Sequence, residues 1–108
     1  MVARTKITVA YLGDRFSGWQ RQERVRTVQG DLEASLSRLV GGRRVVVVGA
    51  GRTDAGVHAA AQVAHLDLPD GIPSTALPRL INARLGDDVR VRSATRAFDG
   101  FHAISSAL

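Results

Sequence analysis

The residue pattern predicts an α+β domain in the order β-α-β-β-α-β, an antiparallel sheet of four strands with two helices on one face. Three observations predict it. Period-two alternation appears at 6–12 and again from Val89, helical spacing appears at 28–39 and 77–85, and two short extended runs, 45–48 and 62–68, flank a glycine-rich stretch. That order is the ferredoxin-like split βαβ arrangement.

In KITVAYL (6–12), Ile7, Val9 and Tyr11 fall on one face and Thr8, Ala10 and Leu12 on the other, bounded by Gly13: a first strand. Thr27 can cap a helix in which Val28, Leu32, Leu36 and Leu39 recur at helical spacing. Asp31 and Glu33 suit its positive end, Arg38 lies in its last turn, and Gly41-Gly42 stops it. VVVV (45–48) and QVAHLDL (62–68, stopped by Pro69) read as a strand pair joined by the stretch between them. After the turn-rich PDGIPST, Leu77, Leu80, Ile81 and Leu85 form a second helical stripe that ends at Gly86. Pro78 fits its first turn, where N–H groups lack intrahelical partners. VRVRSA from Val89 alternates as a half-exposed strand, and residues 96–108 run on past it.

A chain of 108 residues is one domain's worth, and a domain of that size buries roughly two-thirds of its unfolded surface. Composition is that of a globular protein, 44% apolar and 23% charged, without a long apolar run or a basic-then-apolar leader, so a soluble cytoplasmic protein with no membrane span is expected. There is no cysteine and the three histidines are scattered, so no metal is expected. Fifteen basic residues against ten acidic ones give +5, and all but one of the basic residues are arginine. Guanidinium suits phosphate and base stacking, which favours nucleic acid as a partner; a GC-rich coding sequence enriches arginine equally well.

The stretch GAGRTDAGVHAAAQ (49–62) is longer and richer in special residues than a hairpin turn needs. In extended backbone Arg52 and Asp54 project to one side, so a guanidinium and a carboxylate share a site. A neighbouring Arg favours the ionised carboxylate, making Asp54 available as a nucleophile or base, while Gly51 and Gly56 permit tight turns and close approach of a flat ligand. The same composition also fits an Asx-turn with no chemistry.

GRTDAGVHA resembles the signature of the TruA family of tRNA pseudouridine synthases, and other stretches resemble that family in the same order: RFSGWQRQ (15–22), TVQGDLEASL (27–36), QVAHLDLP and FHA (101–103). The resemblance implies that residues 1–108 are the N-terminal catalytic half-domain of the pseudouridine synthase fold, with the C-terminal half outside this chain. It implies an enzyme that converts uridines of the tRNA anticodon stem-loop to pseudouridine without cofactor or metal, working as a homodimer. Asp54 falls on the family's catalytic aspartate, which attacks the uracil ring or ribose C1′. Arg52 falls on the arginine that holds it and helps flip the nucleotide, a step costing a few kcal/mol. His58 is either a structural or an RNA-contacting residue. Phe16, Trp19 and Gln20 either plug the loop over the first helix or touch RNA, and Arg21, Arg24 and Arg26 are either solvated or phosphate-binding. His65 and His102 are expected to be structural.

Two departures stand out. The family has aspartate after the first-strand tyrosine, where this chain has Leu12; and it follows FHA with arginine and then a base-stacking tyrosine, where this chain has Ile104 and stops at Leu108. Two alternatives follow, an inactive truncated synthase and a non-catalytic ferredoxin-like RNA-binding domain. The latter normally stacks bases on aromatics of its central strands, and these strands offer only Tyr11.

Overall fold

In the computed structural model the described residues are 2–51, 55–69 and 71–97. Strand β1 spans Val2–Tyr11, helix α1 Val28–Leu39, β2 Val48–Gly49, β3 Ala59–Pro69, α2 Leu77–Asn82 and β4 Val89–Arg96. The sheet order is β2-β3-β1-β4 and each neighbouring pair is antiparallel, so β1 and β2 run the same way with β3 between them. This is the expected split βαβ topology.

The alternation at 6–12 sets the layers. Ile7, Val9 and Tyr11 are buried together with Leu66, Leu68, Val89 and Val91, and the same cluster takes in Val28, Leu32 and Leu36 of α1 and Leu77 and Ile81 of α2. Thr27 caps α1 by accepting the Gly30 N–H at 3.2 Å, and the Ser35 hydroxyl donates to the Ile81 carbonyl at 3.1 Å, tying the helices together. Pro78 lies in the first turn of α2.

Four elements differ in extent from expectation. Only Val48 of the valine run enters the ladder, because α1 takes up the backbone of Val47: its N–H donates to Glu33 Oε2 at 2.9 Å and its carbonyl accepts from Gln29 Nε2 at 2.8 Å. The run still buries alternate residues, Val45 and Val47, and exposes Val46. Helix α2 stops at Asn82 rather than near Leu85, since the Arg84 and Leu85 amides bond three residues back and the Asn82 side chain turns to both backbone groups of Val91. That contact caps part of the free edge of β4. Strands β1 and β3 are longer than their clean alternation because they pair with each other from Val2↔Pro69 to Tyr11↔Ala59.

Candidate active site and nucleic-acid interface

The connection from β2 to β3, residues 50–58, carries the glycine-rich motif. Its strands pair at Val48↔His65 and Gly49↔Ala64, so the motif joins adjacent strands as expected. Arg52, Thr53 and Asp54, and the later FHA segment with Phe101 and His102, lie outside the described residues, and so does the expected Arg52–Asp54 pairing.

The residues on either side of that triplet are held in specific ways. Entering it, the Ala50 N–H donates to the Val63 carbonyl at 2.8 Å and Gln62 Nε2 donates to the Gly51 carbonyl at 2.9 Å. Trp19 lies against Gly49 so closely that a Cβ there would sit 2.6 Å from the indole, which is why the strand ends on glycine. Leaving it, Gly56 adopts φ 84° and donates to the Gly13 carbonyl at 3.0 Å. Gly13 in turn donates its N–H to His58 Nδ1 at 2.8 Å. His58 thus carries a backbone contact, one of the two roles open to it from sequence.

Phe16 and Trp19 form a plug, one of the two roles open to them from sequence. Both are buried, Tyr11 meets Phe16 edge-on with ring centroids 6.3 Å apart, and Tyr11 and Trp19 are tilted at 6.1 Å. Gln20 is exposed and lines two depressions. One, about 240 Å³, runs from Trp19 along Gly49 to Gly51; the other, about 550 Å³, is lined by Arg21, Gln22, Glu23, Arg24 and Arg44. Gln20 and Gln29 border both, so the two depressions adjoin and form a track from the motif side toward Arg21, Arg24 and Arg44.

The arginine run divides. Arg21 pairs with Glu33 at 3.2 Å while half exposed, and Arg24 is exposed at φ 65°, a left-handed conformation that is uncommon outside glycine. Arg26 points elsewhere. It bonds Asp88 through two nitrogens at 2.7 and 2.8 Å, reaches Asp31 at 2.8 Å, and lies 4.3 Å above the Phe16 ring. The Arg26 guanidinium holds the Asp88 carboxyl below the usual carboxylate range, and the same bonds raise Arg26.

A depressed carboxylate stabilises the folded chain above its unfolded value, roughly 3.9, and that contribution disappears as pH falls through the lower folded value. Asp88→Ala is therefore expected to cost about 1–3 kcal/mol near neutrality, the lower part of the range being favoured because Arg26 is partly solvated. The difference from the parent should shrink below about pH 4. Denaturant titrations of both chains across that pH range check it, and a pH-independent difference would exclude the ion pair as the cause.

Sequence reasoning missed Arg92. From β4 its guanidinium donates to the Ala60 carbonyl of β3 at 3.1 Å, and since β1 lies between those strands the side chain spans the sheet close to where the motif rejoins β3. Alternation marked it as exposed; only strand order brings it to the motif. Among the described residues no cluster of three or more His, Asp or Glu could hold a metal, and no helix is long and apolar enough to cross a membrane.

A split βαβ sheet in which the connection between two adjacent strands carries the glycine-rich motif defines a ferredoxin-like α+β domain. A family model described as tRNA pseudouridine synthase matches residues 7–103. The chain belongs to the tRNA pseudouridine synthase family. It is 46% identical over 107 residues to a tRNA pseudouridine synthase A of Synechococcus sp., covering 99% of this chain and 36% of that protein. Similarity to the tRNA pseudouridine synthase A of Bacillus subtilis is 49% over 106 residues, covering 97% and 43%; to that of Nitratidesulfovibrio vulgaris (strain Miyazaki F) it is 50% over 107, covering 94% and 38%. The chain thus spans about two-fifths of the length of these relatives.

Proposed function

We propose that this chain is the nucleophile-bearing half-domain of an enzyme that isomerises uridine to pseudouridine in tRNA. The observation that carries the reading is the family match running through the Arg-Thr-Asp motif between paired strands. In the reaction the bond from ribose C1′ to N1 of uracil breaks, the base turns, C1′ bonds to C5, and C5 gives up its proton while N1 gains one; no co-reactant is consumed. Asp54 supplies the carboxylate that attacks uracil or C1′, and Arg52 holds that carboxylate and helps displace the nucleotide from its stack. Arg21, Arg24 and Gln20 along the track, with Arg92 on the sheet, contact RNA phosphates, while Arg26 acts by holding the 12–27 connection in place. The substrate is the anticodon stem-loop, and the complete enzyme is a cytoplasmic homodimer.

The non-catalytic RNA-binding alternative is disfavoured by a particular residue. Tyr11, the aromatic of the two central strands β1 and β3, is buried in the core rather than offered to a base.

The test joins residues 1–108 to the remaining segment of the Bacillus subtilis relative and measures tritium release from tRNA labelled at uridine C5. Release at a rate comparable to that relative is expected; a folded, inactive chimaera beside an active relative would sink the proposal. Stem-loop affinity of the same chimaera should fall with salt, by a log–log slope of about −0.7 to −0.9 per phosphate contacted, and Arg24→Ala should make it shallower by about one contact.

A further inference from the structure

We infer that His58 is a positioning residue: by accepting the Gly13 N–H it fixes the exit of the Arg-Thr-Asp loop and so sets where the Asp54 carboxylate stands. This rests on the reading of Asp54 as the reacting group. Both backbone groups of Gly13 are given to the loop, its N–H to His58 Nδ1 at 2.8 Å and its carbonyl to the Gly56 N–H at 3.0 Å. Between those two residues lies Val57, whose carbonyl oxygen would be 1.8 Å from a Cβ on residue 13. Only glycine leaves room for the loop to close on it.

Gly13 is itself anchored. It opens the short 3₁₀ turn Gly13–Arg15, its carbonyl also accepts from the N–H of buried Phe16 at 3.1 Å, and the preceding Leu12 N–H donates to the Asp88 carbonyl at 2.9 Å. The exit of the loop is therefore tied to the aromatic plug, as its entry is tied through Gly51 to Gln62. Asp54 is two residues before Gly56, at most about 7 Å along the chain, so a displaced Gly56 carries it along.

The contact calls for a hydrogen-bond acceptor at residue 58. An Nδ1 that accepts from an amide carries no proton, which leaves Nε2 as the donor of the neutral ring. Asparagine places an acceptor the same number of bonds from Cβ, whereas leucine fills similar space and leaves the Gly13 N–H without a partner.

The test has a spectroscopic arm on the 108-residue chain and a kinetic arm on the chimaera. In His58→Leu, Gly13 amide exchange should accelerate about tenfold or more and the signals of residues 53–57 should shift or broaden, with α1 and β3 unchanged; His58→Asn should restore the parent spectrum. In the chimaera His58→Leu should lower kcat by about 10–100-fold with KM within about threefold, and His58→Asn should recover most of it. Unchanged spectra in the leucine variant would overturn the clamp, and altered spectra with unchanged kcat would overturn its role in positioning. Should the leucine variant fail to fold, the imidazole ¹⁵N shifts of the parent and the kinetics of His58→Asn decide: a protonated Nδ1, or an asparagine variant crippled in kcat, overturns the inference. A parent chimaera without turnover counts against the proposed function, and the spectra still report separately on whether His58 holds the loop.

Discussion

Replacing Trp19 with alanine is expected to lower the stability of the domain by about 3–5 kcal/mol, a large part of the roughly 5–15 kcal/mol typical of a small domain. Trp19 is only 1% exposed, packs against Tyr11, and closes over Gly49 where β2 turns into the motif. Its loss leaves a cavity that the glycine cannot fill. The converse change, Gly49→Ala, is expected to cost about 1–3 kcal/mol by overpacking, since the new Cβ would meet the indole at 2.6 Å. Because both changes act on one contact, they should not add: Gly49→Ala introduced into the Trp19→Ala background should be close to neutral or favourable. Denaturant midpoints of the two single variants and the double variant measure the coupling. A Trp19→Ala chain within about 1 kcal/mol of the parent would mean that the plug is not part of the core.

The sheet topology and the first helix were legible because their signals are local. Period two at 6–12 and helical spacing after Thr27 need no knowledge of partners, and both appear in the structure with their faces as expected. The valine run misled because β-branched residues fit any extended backbone. Whether Val47 bonds to a strand or to the side chains of Gln29 and Glu33 depends on where α1 lies. The same limit applies at the site. The motif was readable from its glycines and its resemblance, but nothing local to Gly13 announces a partner at His58, forty-five residues away. Arg26 is the clearest case: beside Arg21 and Arg24 it looks like one charge run, and only folding brings Asp88 to it.

The largest effect is expected at Asp54. In the chimaera, Asp54→Asn should reduce pseudouridine formation by about 10³-fold or more, while affinity for the anticodon stem-loop stays within about tenfold, or ~1.4 kcal/mol. The two quantities separate because of what the carboxylate does. Its negative charge adds nothing to phosphate binding, so the neutral, similarly shaped amide costs little on association; in the proposed reaction its oxygen makes the bond that frees the base, and an amide oxygen is a far poorer nucleophile. His58→Leu should behave differently, leaving the nucleophile in place but less well aimed, so that its kcat loss is smaller and is recovered by a conservative change. Asp54→Ala serves as the second variant, since it removes both the nucleophile and the hydrogen-bonding shape. Tritium release and stem-loop binding on all three variants provide the comparison. Near-parental turnover in Asp54→Asn would dismiss Asp54 as nucleophile, and a binding loss parallel to the loss of turnover would move the carboxylate from bond-making to RNA recognition.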